Sequence, residues 1–391
     1  MRNIITGLDI GTAAIRVVVA DLGRGRESPQ VLAMVKKTAR GLRSGYVTNP
    51  DEAAEAVVEA LREAERATNL RIRHAFIGLS GVSLSSRIVE GGVAVTRGDS
   101  EINELDMTRA IDAAVASATD LANEEIIHRF PLGYKLDSKK IIGRPEGLKG
   151  NKLEVKAVLI TYSRQHLKDL TQVLEAAGLK VSEDDFIAAP LAASLVTLTK
   201  MQKTAGAVLA NIGAQTTSMA VFEDGLPVSI QVFPIGSNNI TNDIALGFKV
   251  SLEEAEQIKR GEMAAPVGPP NNRGNKKKLE EVIGARLLDI FQSIETHLKK
   301  ISRSGLLPAG VVLLGGGASV NGIEELAKDY FKLPARTADA GIATASNNKI
   351  KDATWATAYG LTYFGLDLPP EERPGIKIAS SFLKYLRELL P

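Results

Sequence analysis

One short pattern, in which an apolar strand, a glycine-bearing turn and a second apolar strand follow each other, occurs twice, roughly half a chain apart. The first copy runs from Ile4 to Asp21 around Asp9-Ile10-Gly11, and the second runs from Val208 to Phe222 around Asn211-Ile212-Gly213. The β-branched residues beside each turn lose rotamer freedom in a helix and favour strands, so each copy predicts a β-hairpin. Recurrence in the same context indicates that the chain has two related halves.

Net charge and cysteine usage exclude several classes of protein. The 391 residues carry 48 Lys and Arg against 46 Asp and Glu, a formal charge of +2 at pH 7. A nucleic-acid-binding domain usually has a basic surplus, so no nucleic acid is expected as a partner. The chain has no Cys and only four His, which excludes a disulfide framework, a thiolate zinc site and a cysteine nucleophile.

The sequence carries no signal for a membrane span or for secretion. No stretch approaches the roughly 18–20 uninterrupted apolar residues that a spanning helix needs. The start at Met1–Ile5 is followed at once by polar and glycine residues, which is too early for a signal-peptide core. We therefore expect the protein to stay inside the cell.

Residues 82–161 look like a separable unit within the first half. Strand-like stretches at 87–95, 126–136 and 153–160 surround one predicted helix at 104–121. Strands around a single helix suggest a small α+β unit.

Elsewhere, apolar periodicity and capping residues predict alternating helices and strands. Residues 264–278 are rich in Pro, Asn, Gly and Lys and predict an exposed loop. The predicted helices cover 51–68, 165–177, 252–260, 279–302, 322–331 and 353–364, and further strands cover 74–79 and 311–314.

Glycine-bearing turns follow three strands, at Gly11, Gly213 and Gly315–Gly317. Each alone is an ordinary turn, but glycine lets the backbone approach a phosphate, and free N–H groups in such turns bind anions. The sequence has no P-loop GxxxxGK[ST], no GxGxxG that opens a helix and no GxSxG elbow. Three such turns, two of them in matching halves, indicate a nucleotide held between two lobes.

The side chains beside these turns suit a metal–phosphate group. Asp9 ends the first strand, and a carboxylate there can hold Mg²⁺, which keeps several waters and needs only one or two protein carboxylates. Thr12, Thr216 and Thr217 offer hydroxyls to phosphate oxygens. Turn capping is the alternative role for all four residues.

Four motifs in order carry a family resemblance: DIGT at 9–12, NIGAQTT at 211–217, AEQIKRG at 255–261 and LLGGGAS at 313–319. Together they resemble the actin/Hsp70/sugar-kinase ATPase superfamily and, more narrowly, the FtsA family of bacterial actin-like cell-division proteins. The inserted segment with IIHRFPLGYKLD, the stretch IGSNNITNDIA and the C-terminal tail make the resemblance specific. It implies an α/β, actin-like two-lobed ATPase fold with a small inserted α+β subdomain.

The resemblance also implies how the chain divides into domains. The first lobe takes 1–81 and 162–197, the inserted subdomain 82–161, the second-lobe core 198–226 and 305–366, the outer subdomain of the second lobe 227–304, a linker 367–379 and an amphipathic helix 380–391.

By the same resemblance the cofactors are ATP and Mg²⁺, and most of their contacts can be placed by motif. Glu256 and Lys259 match the pair that reaches adenine and ribose; their spacing puts them on one helix face, where a surface ion pair is the alternative. Gln215 stands where it can position a water. The implied cofactor-binding residues are Asp9 (also the metal ligand), Gly11, Thr12, Arg16, Gly213, Gln215, Thr216, Thr217, Glu256, Lys259, Gly316 and Gly317.

Three departures from the family pattern bear on hydrolysis. Asn211 stands where the superfamily usually has Asp, Ala189 stands where a Glu often precedes Pro-Leu-Ala, and Ala214 and Gln215 replace glycines. An amide takes no proton from water, and general-base help is worth roughly 10²–10⁴-fold. We therefore name no catalytic residue and expect ATP to be bound but hydrolysed slowly or not at all.

The tail differs from the rest of the chain. Asp367–Gly375 is rich in proline and charge and predicts a stiff linker. Residues 380–391 place apolar side chains on one helix face with basic residues beside them, which suits a helix lying in a membrane interface, although docking on the protein's own core is the alternative. The predicted membrane-binding residues are Phe382, Leu383, Lys384, Leu386, Arg387, Leu389 and Leu390.

The resemblance implies a cytoskeletal adaptor at the division site, attached peripherally to the cytoplasmic face of the bacterial cell membrane. Its implied partners are the C-terminal tail of FtsZ, received by 227–304, further copies of itself in a filament, an anionic membrane surface and other septal proteins. Two alternatives stay open: a PilM-like pilus assembly adaptor, which typically lacks the membrane helix, and a small-molecule kinase, for which Asn211 and Ala189 remove expected groups.

Overall fold

The computed structural model describes residues 3–23, 28–96, 98, 100–265, 272–339, 341–343 and 349–365. Its strands form three sheets of four or five strands and two two-stranded ribbons. The predicted linker and membrane helix, with all seven predicted membrane-binding residues, lie outside the described residues. Over the described part of the chain, no helix is both long and apolar enough to cross a membrane.

The strands follow each other along the chain with these bounds: β1 (Ile4–Ile10), β2 (Ala14–Asp21), β3 (Gln30–Thr38), β4 (Leu42–Arg43), β5 (Tyr46–Val47), β6 (Phe76–Leu79), β7 (Ser85–Ala94), β8 (Glu124–Leu136), β9 (Lys139–Ile141), β10 (Lys152–Ser163), β11 (Phe186–Ala188), β12 (Ala207–Ile212), β13 (Thr217–Glu223), β14 (Leu226–Phe233), β15 (Val311–Leu314), β16 (Ala335–Thr337), β17 (Ile342–Ala343) and β18 (Lys349–Ile350).

The helices are α1 (Pro50–Thr68), α2 (Glu104–Ala116), α3 (Arg164–Ala176), α4 (Ala189–Thr197), α5 (Lys200–Ala205), α6 (Ser237–Phe248), α7 (Leu252–Arg260), α8 (Asn272–Lys300), α9 (Ile323–Phe331) and α10 (Ala356–Tyr363). Short 3₁₀ turns cover Glu183–Asp185, Gly316–Ser319 and Ala353–Trp355.

The first and third sheets have the same construction, which confirms the two related halves. The first sheet has the order β3-β2-β1-β6-β11, and the third has β14-β13-β12-β15-β16. In both, the first three strands are antiparallel and the last two are parallel to the central strand. We call the part built on the first sheet the first lobe and the part built on the third sheet the second lobe.

The apolar core runs from one lobe into the other. Successive residues of a strand face opposite sides of a sheet, and β12 follows this rule: Leu209 belongs to the core shared with the first lobe, whereas Val208 and Ala210 face a second core under α6, α7, α8 and α9. The lobes are therefore joined by continuous packing, while the ends of their central strands remain available for a site.

The insert consists of β7 to β10 and α2, with a core of its own. Its antiparallel sheet has the order β7-β10-β8-β9. It contacts both lobes through hydrogen bonds: His128 Nε2 accepts from Ala188 N of the first lobe at 3.1 Å, and Ser86 Oγ accepts from Ile230 N of the second lobe at 2.7 Å. The predicted α+β unit is thus present and fixed between the lobes.

Several helices differ from the sequence prediction. α2 ends at Ala116, five residues before the predicted end, and α4, α5 and α6 were not predicted. α8 begins at Asn272, so the prediction of a loop up to residue 278 was wrong for its last seven residues. Lys278 Nζ donates to Gly247 O at 2.6 Å and lies over the Phe248 ring, so tertiary contacts hold the beginning of this helix. α6 was not predicted, because its residues, SNNITNDIALGF, are rich in poor helix formers.

Candidate functional site

The first hairpin closes at Gly11, whose N–H donates to Ala14 O at 3.1 Å. The antiparallel register places Asp9 opposite Arg16. Their side chains are 13% and 15% exposed, and Arg16 Nη1 lies 3.8 Å from Asp9 Oδ2. Burial raises the pKa of the Asp9 carboxyl, and the positive charge of Arg16 acts in the opposite direction. Thr12 lies in the turn and is partly buried.

The guanidinium group of Arg16 carries an unsatisfied hydrogen-bond donor. Its Nε is buried and, within the described residues, has no hydrogen-bond partner. Its guanidinium carbon lies 5.9 Å from the centre of the Trp355 ring, just before α10. A buried donor without a partner costs about 1–3 kcal/mol, so an anionic oxygen at this position would remove a penalty that the folded chain otherwise carries.

The second hairpin repeats the first. Gly213 N donates to Thr216 O at 2.9 Å, and the beginning of α6 packs on the turn, since Ser237 N donates to Gly213 O at 2.8 Å. Thr216 is partly buried. Thr217 is fully buried, and its hydroxyl donates to Ile235 O at 2.8 Å. That hydroxyl therefore holds the chain after β14, and its contact with phosphate stays a prediction.

The glycine turn after β15 packs beneath the second hairpin. Gly315 has φ +87°, and a Cβ on it would stand 2.2 Å from Asn211 Oδ1. A Cβ on Gly317 would stand 2.3 Å from Ile212 Cγ2, whereas one on Gly316 would meet nothing within 4 Å. Gly315 and Gly317 are thus required for the close approach of two chain segments, and Gly316 presents an open main-chain surface.

Glu256 and Lys259 form a network and not a solvated surface pair. Lys259 Nζ lies 2.6 Å from Glu256 Oε2, and the lysine side chain is only 9% exposed. Lys259 also donates to Thr241 Oγ1 at 2.8 Å and to Ser237 O at 3.3 Å. Thr241 in turn donates to Glu256 at 2.6 Å. Burial acts to raise the pKa of Glu256, but hydrogen bonds from Lys259, Thr241 and Arg260 outweigh it and hold the pKa below its usual value.

Ser237 connects this network to the second hairpin, because its N–H donates to Gly213 O and its carbonyl oxygen accepts from Lys259 Nζ. The structure thereby brings the site residues of the second lobe into one neighbourhood. The link to the first lobe is Gln215, whose Oε1 accepts from Ser44 N at 2.7 Å. Ser44 and Trp355 belong to no motif in the sequence, and reasoning from residues alone missed both.

The two positions at which the sequence lacks an expected carboxylate, 189 and 211, both lie against neighbouring chain segments. Ala189 begins α4 and is 3% exposed, and a Cβ on the neighbouring strand at Gly78 would stand 3.7 Å from its Cβ. Asn211 Oδ1 packs towards Gly315. Neither position holds a carboxylate that could take a proton from water.

Asp9 is the one metal ligand that the sequence predicts at this site. Over the described ranges, no group of three or more His, Asp or Glu side chains is placed to hold a metal ion. A magnesium ion bound with a nucleotide needs no such group, because it takes one or two carboxylates together with phosphate oxygens and waters. A partly buried Asp9 beside an arginine with an unsatisfied N–H fits a magnesium–phosphate group.

A cavity of about 400 Å³ lies beside the glycine turn. Three of its lining residues, Leu313, Leu314 and Gly315, also lie against β12 of the second hairpin, but none of the predicted cofactor-binding residues lines it. The main polar residues of its wall are Ser319, Asn321, Glu324, Thr337, Asp352 and Thr354. We therefore place the candidate nucleotide site at the two hairpins and not in this cavity.

Comparison with known proteins finds relatives over nearly the whole length of the chain. The family model "Cell division protein FtsA" matches residues 208–360, and the model "SHS2 domain inserted in FTSA" matches residues 81–161. A cell division protein FtsA from Pseudomonas aeruginosa is 30% identical over 98% of this chain and 93% of its own length. The FtsA of Bacillus subtilis is 28% identical over 97% of this chain and 90% of its own length.

Solved structures with a similar fold are more distant in sequence. The PilM–PilN type IV pilus biogenesis complex contains a chain with a TM-score of 0.68 and 19% identity, covering 93% of this chain and 99% of that one. MreB5 of Spiroplasma citri, in a crystal structure with ADP, gives a TM-score of 0.52 and 13% identity, covering 93% and 96%. At this identity the likeness shows the fold alone, and it confirms the predicted actin-like two-lobed α/β fold.

Proposed function

The chain belongs to the FtsA family of cell division proteins, and from this membership and the paired hairpins we propose that it is an ATP-binding adaptor. In this role it polymerises at the cytoplasmic face of the cell membrane, tethers the FtsZ ring there and helps to recruit later septal proteins. The observation that carries the proposal is the pair of glycine hairpins of equal register, one in each lobe.

The proposed nucleotide lies between the hairpins. Main-chain N–H groups of the two turns, with Thr12 and Thr216, bind phosphate oxygens, and Arg16 donates its unsatisfied Nε–H to one of them. Asp9 holds Mg²⁺ with waters, and the ion neutralises phosphate charge when bound. On the second lobe, Glu256 and Lys259 would contact adenine and ribose, and Gly316 and Gly317 would belong to the turn that packs against the adenosine.

Binding is tested by titrating purified protein with ATP–Mg²⁺ in a calorimeter, beside an Asp9→Ala variant. Wild type should bind with a stoichiometry of one, and the variant should lose magnesium-dependent affinity while its circular dichroism is unchanged. The matched control is Asp21→Ala, which removes a carboxylate from the far end of the same hairpin. Wild type that binds no ATP under any magnesium concentration refutes the proposal.

Hydrolysis should be slow or absent, since Asn211 and Ala189 offer no general base. A phosphate-release assay on wild type and Asp9→Ala measures this. Turnover near one per second in wild type would contradict the proposal and would favour a kinase-type enzyme of the same superfamily.

The tail and the outer part of the second lobe supply the proposed attachments. Residues 380–391 attach the chain peripherally to anionic lipid, weakly as single copies and tightly as a filament, through effective concentration. Residues 227–304, the outer subdomain of the second lobe in the domain division that the family resemblance implies, receive the FtsZ tail. Deletion of 380–391 should abolish pelleting with anionic liposomes, and a Leu386→Glu variant of full length should do the same; unchanged pelleting of both refutes the anchor.

Polymerisation is tested by electron microscopy on a lipid monolayer with ATP. Paired filaments support the adaptor. Monomers that stay dispersed with every nucleotide contradict it and favour the kinase alternative.

A further inference from the structure

A hydrogen bond joins the two lobes at the predicted phosphate site. Ser44 N donates to Gln215 Oε1 at 2.7 Å, between residues that are 171 positions apart. Ser44 belongs to the first lobe, and Gln215 lies in the turn of the second hairpin, between Gly213 and Thr216. Both residues are partly buried. The contact therefore exists only while the two lobes stand at their present separation.

The Ser44 N–H is presented by a rigid turn. β4 and β5 pair as a two-residue hairpin whose central residues, Ser44 and Gly45, have φ +50° and +83°. Positive φ at both positions is the geometry of a type I′ turn, which matches the twist of the flanking strands. A Cβ on Gly45 would stand 2.3 Å from Gly81 Cα, and the Tyr46 ring stacks on His166 at 3.7 Å. The hairpin is thus fixed against the rest of the first lobe, and the Ser44 N–H points in a single direction, towards Gln215.

The chemistry of this contact settles the orientation of the Gln215 amide. A main-chain N–H can only donate, so the atom that meets it is the oxygen, and the amide NH₂ forms the other end of the group. With the oxygen engaged by Ser44, Gln215 has its N–H donors to offer to a ligand. Donors suit phosphate oxygens, whereas the activation of an attacking water requires an acceptor.

We infer that Gln215 is a positioning residue that closes the lobes on the terminal phosphate of a nucleoside triphosphate, with its oxygen on Ser44 and its NH₂ on the phosphate. This inference rests on the proposed function, because it requires a nucleotide between the hairpins. It differs from the water-positioning role that the sequence suggests. A ligand that contacts the closed arrangement better than the open one shifts the population towards closure, so Gln215 makes closure dependent on the third phosphate.

The test uses the absence of cysteine in the chain. Arg62→Cys on α1 and Glu253→Cys on α7 are exposed positions on different lobes, and spin labels on them report the separation of the lobes. This pair is combined with Gln215→Ala, which removes both functions, and with Gln215→Glu, which keeps the acceptor and loses the donors. The matched control is Gln292→Ala, which removes an exposed glutamine amide from α8 of the second lobe. Affinities for ATP and ADP are measured on the same proteins.

Without nucleotide, Gln215→Ala should broaden the distribution of distances between the two spin labels or shift it to longer values. It should also weaken ATP binding about five- to tenfold, the effect of losing one or two hydrogen bonds. ADP binding should change less than about twofold. Gln215→Glu should keep the wild-type distances and still lose ATP affinity. Gln292→Ala should match wild type in both measurements. The ratio of ATP to ADP affinity is a readout that a merely structural role would not move.

The outcomes separate this inference from the proposed function. Wild type without affinity for ATP refutes the proposed function and, with it, the phosphate half of the inference, whereas the distances still decide whether Gln215 holds the lobes. Wild type that binds ATP, together with a Gln215→Ala variant of unchanged distances and unchanged ATP preference, overturns the inference alone. If Gln215→Ala does not fold, Gln215→Glu decides: equal loss of ATP and ADP affinity overturns the role on the terminal phosphate.

Discussion

Acidification should weaken the attachment of the insert to the first lobe, because that attachment uses a neutral histidine. His128 on β8 accepts the Ala188 N–H through Nε2 at 3.1 Å, and only the unprotonated nitrogen can accept. Burial lowers the pKa of His128 to about 3, whereas a histidine in the unfolded chain titrates near 6.5. The folded pKa lies below the unfolded one. The contribution of His128 to the unfolding free energy is therefore fully present above about pH 6.5 and is lost as the pH falls towards 3.

The magnitude follows from linkage. Each pH unit between the two pKa values costs about 1.4 kcal/mol, so lowering the pH from 7.5 to 5.0 removes about 2 kcal/mol of unfolding free energy through this one residue. A His128→Gln variant retains an acceptor near the position of Nε2 and does not titrate. Its unfolding free energy at pH 7.5 should stay within about 1 kcal/mol of wild type, and its loss between pH 7.5 and 5.0 should be smaller by about 2 kcal/mol.

Urea titrations at the two pH values, followed by circular dichroism, measure this difference. His74→Gln is the matched control, since it replaces an exposed histidine of the first lobe and leaves the contact with Ala188 in place. Equal pH dependence in wild type and His128→Gln would refute the reasoning, because it would mean that His128 titrates alike in the folded and unfolded chains.

Three further predictions concern the glycine turn, the helix network and the second contact of the insert. Gly315→Ala puts a side chain where φ is +87° and where the nearest atom is 2.2 Å away. Calorimetry should therefore show that this variant loses at least about 1 kcal/mol of unfolding free energy, a loss that Gly316→Ala does not share. Equal melting temperatures of the two variants would contradict the close packing at Gly315. Lys259→Met should weaken ATP binding at least about tenfold, since a charged hydrogen bond contributes about 1.5–3 kcal/mol, and unchanged affinity in a calorimeter would remove Lys259 from the site. Ser86→Ala leaves the Ile230 N–H without its 2.7 Å partner, which should cost about 1–3 kcal/mol and speed hydrogen exchange at Ile230; exchange at the wild-type rate would mean that this contact does not hold the insert.

The two hairpins could be predicted from the sequence because they are local. Each consists of two neighbouring strands of β-branched residues and a glycine turn, so the pairs Ile10–Ile15 and Ile212–Thr217 are brought together by a few residues of chain. Helix α7 was also predicted with its bounds correct, since Ser251 caps it, Glu254 returns the hydrogen bond and Gly261 ends it with positive φ.

The parts that were missed depend on contacts between distant segments. The composition of 272–278 indicates a loop, but the packing of Lys278 against α6 makes it helical. α6 itself is held by the second hairpin, through the Ser237 N–H on Gly213 O. The bond from Ser44 to Gln215 joins residues in different lobes, and no local pattern marks either residue as a partner of the other.

The two hairpins share their register but not their charges, and this difference supports retention of ATP over its consumption. At equivalent places across the strands, the first hairpin pairs Asp9 with Arg16, and the second pairs Asn211 with Ser218. In the proposed site, the first hairpin thus offers a carboxylate for a metal and a guanidinium for phosphate. The second hairpin offers main-chain N–H groups and neutral side chains, and the charged pair Glu256 and Lys259 stands outside it, on α7. Neutral donors stabilise phosphate charge but take no proton from water, and with its oxygen bound to Ser44, Gln215 does not change that. With the first hairpin charged and the second neutral, the proposed site would grip a triphosphate and hold its lobes together, while neither Asn211 nor Ala189 offers the attacking water a base.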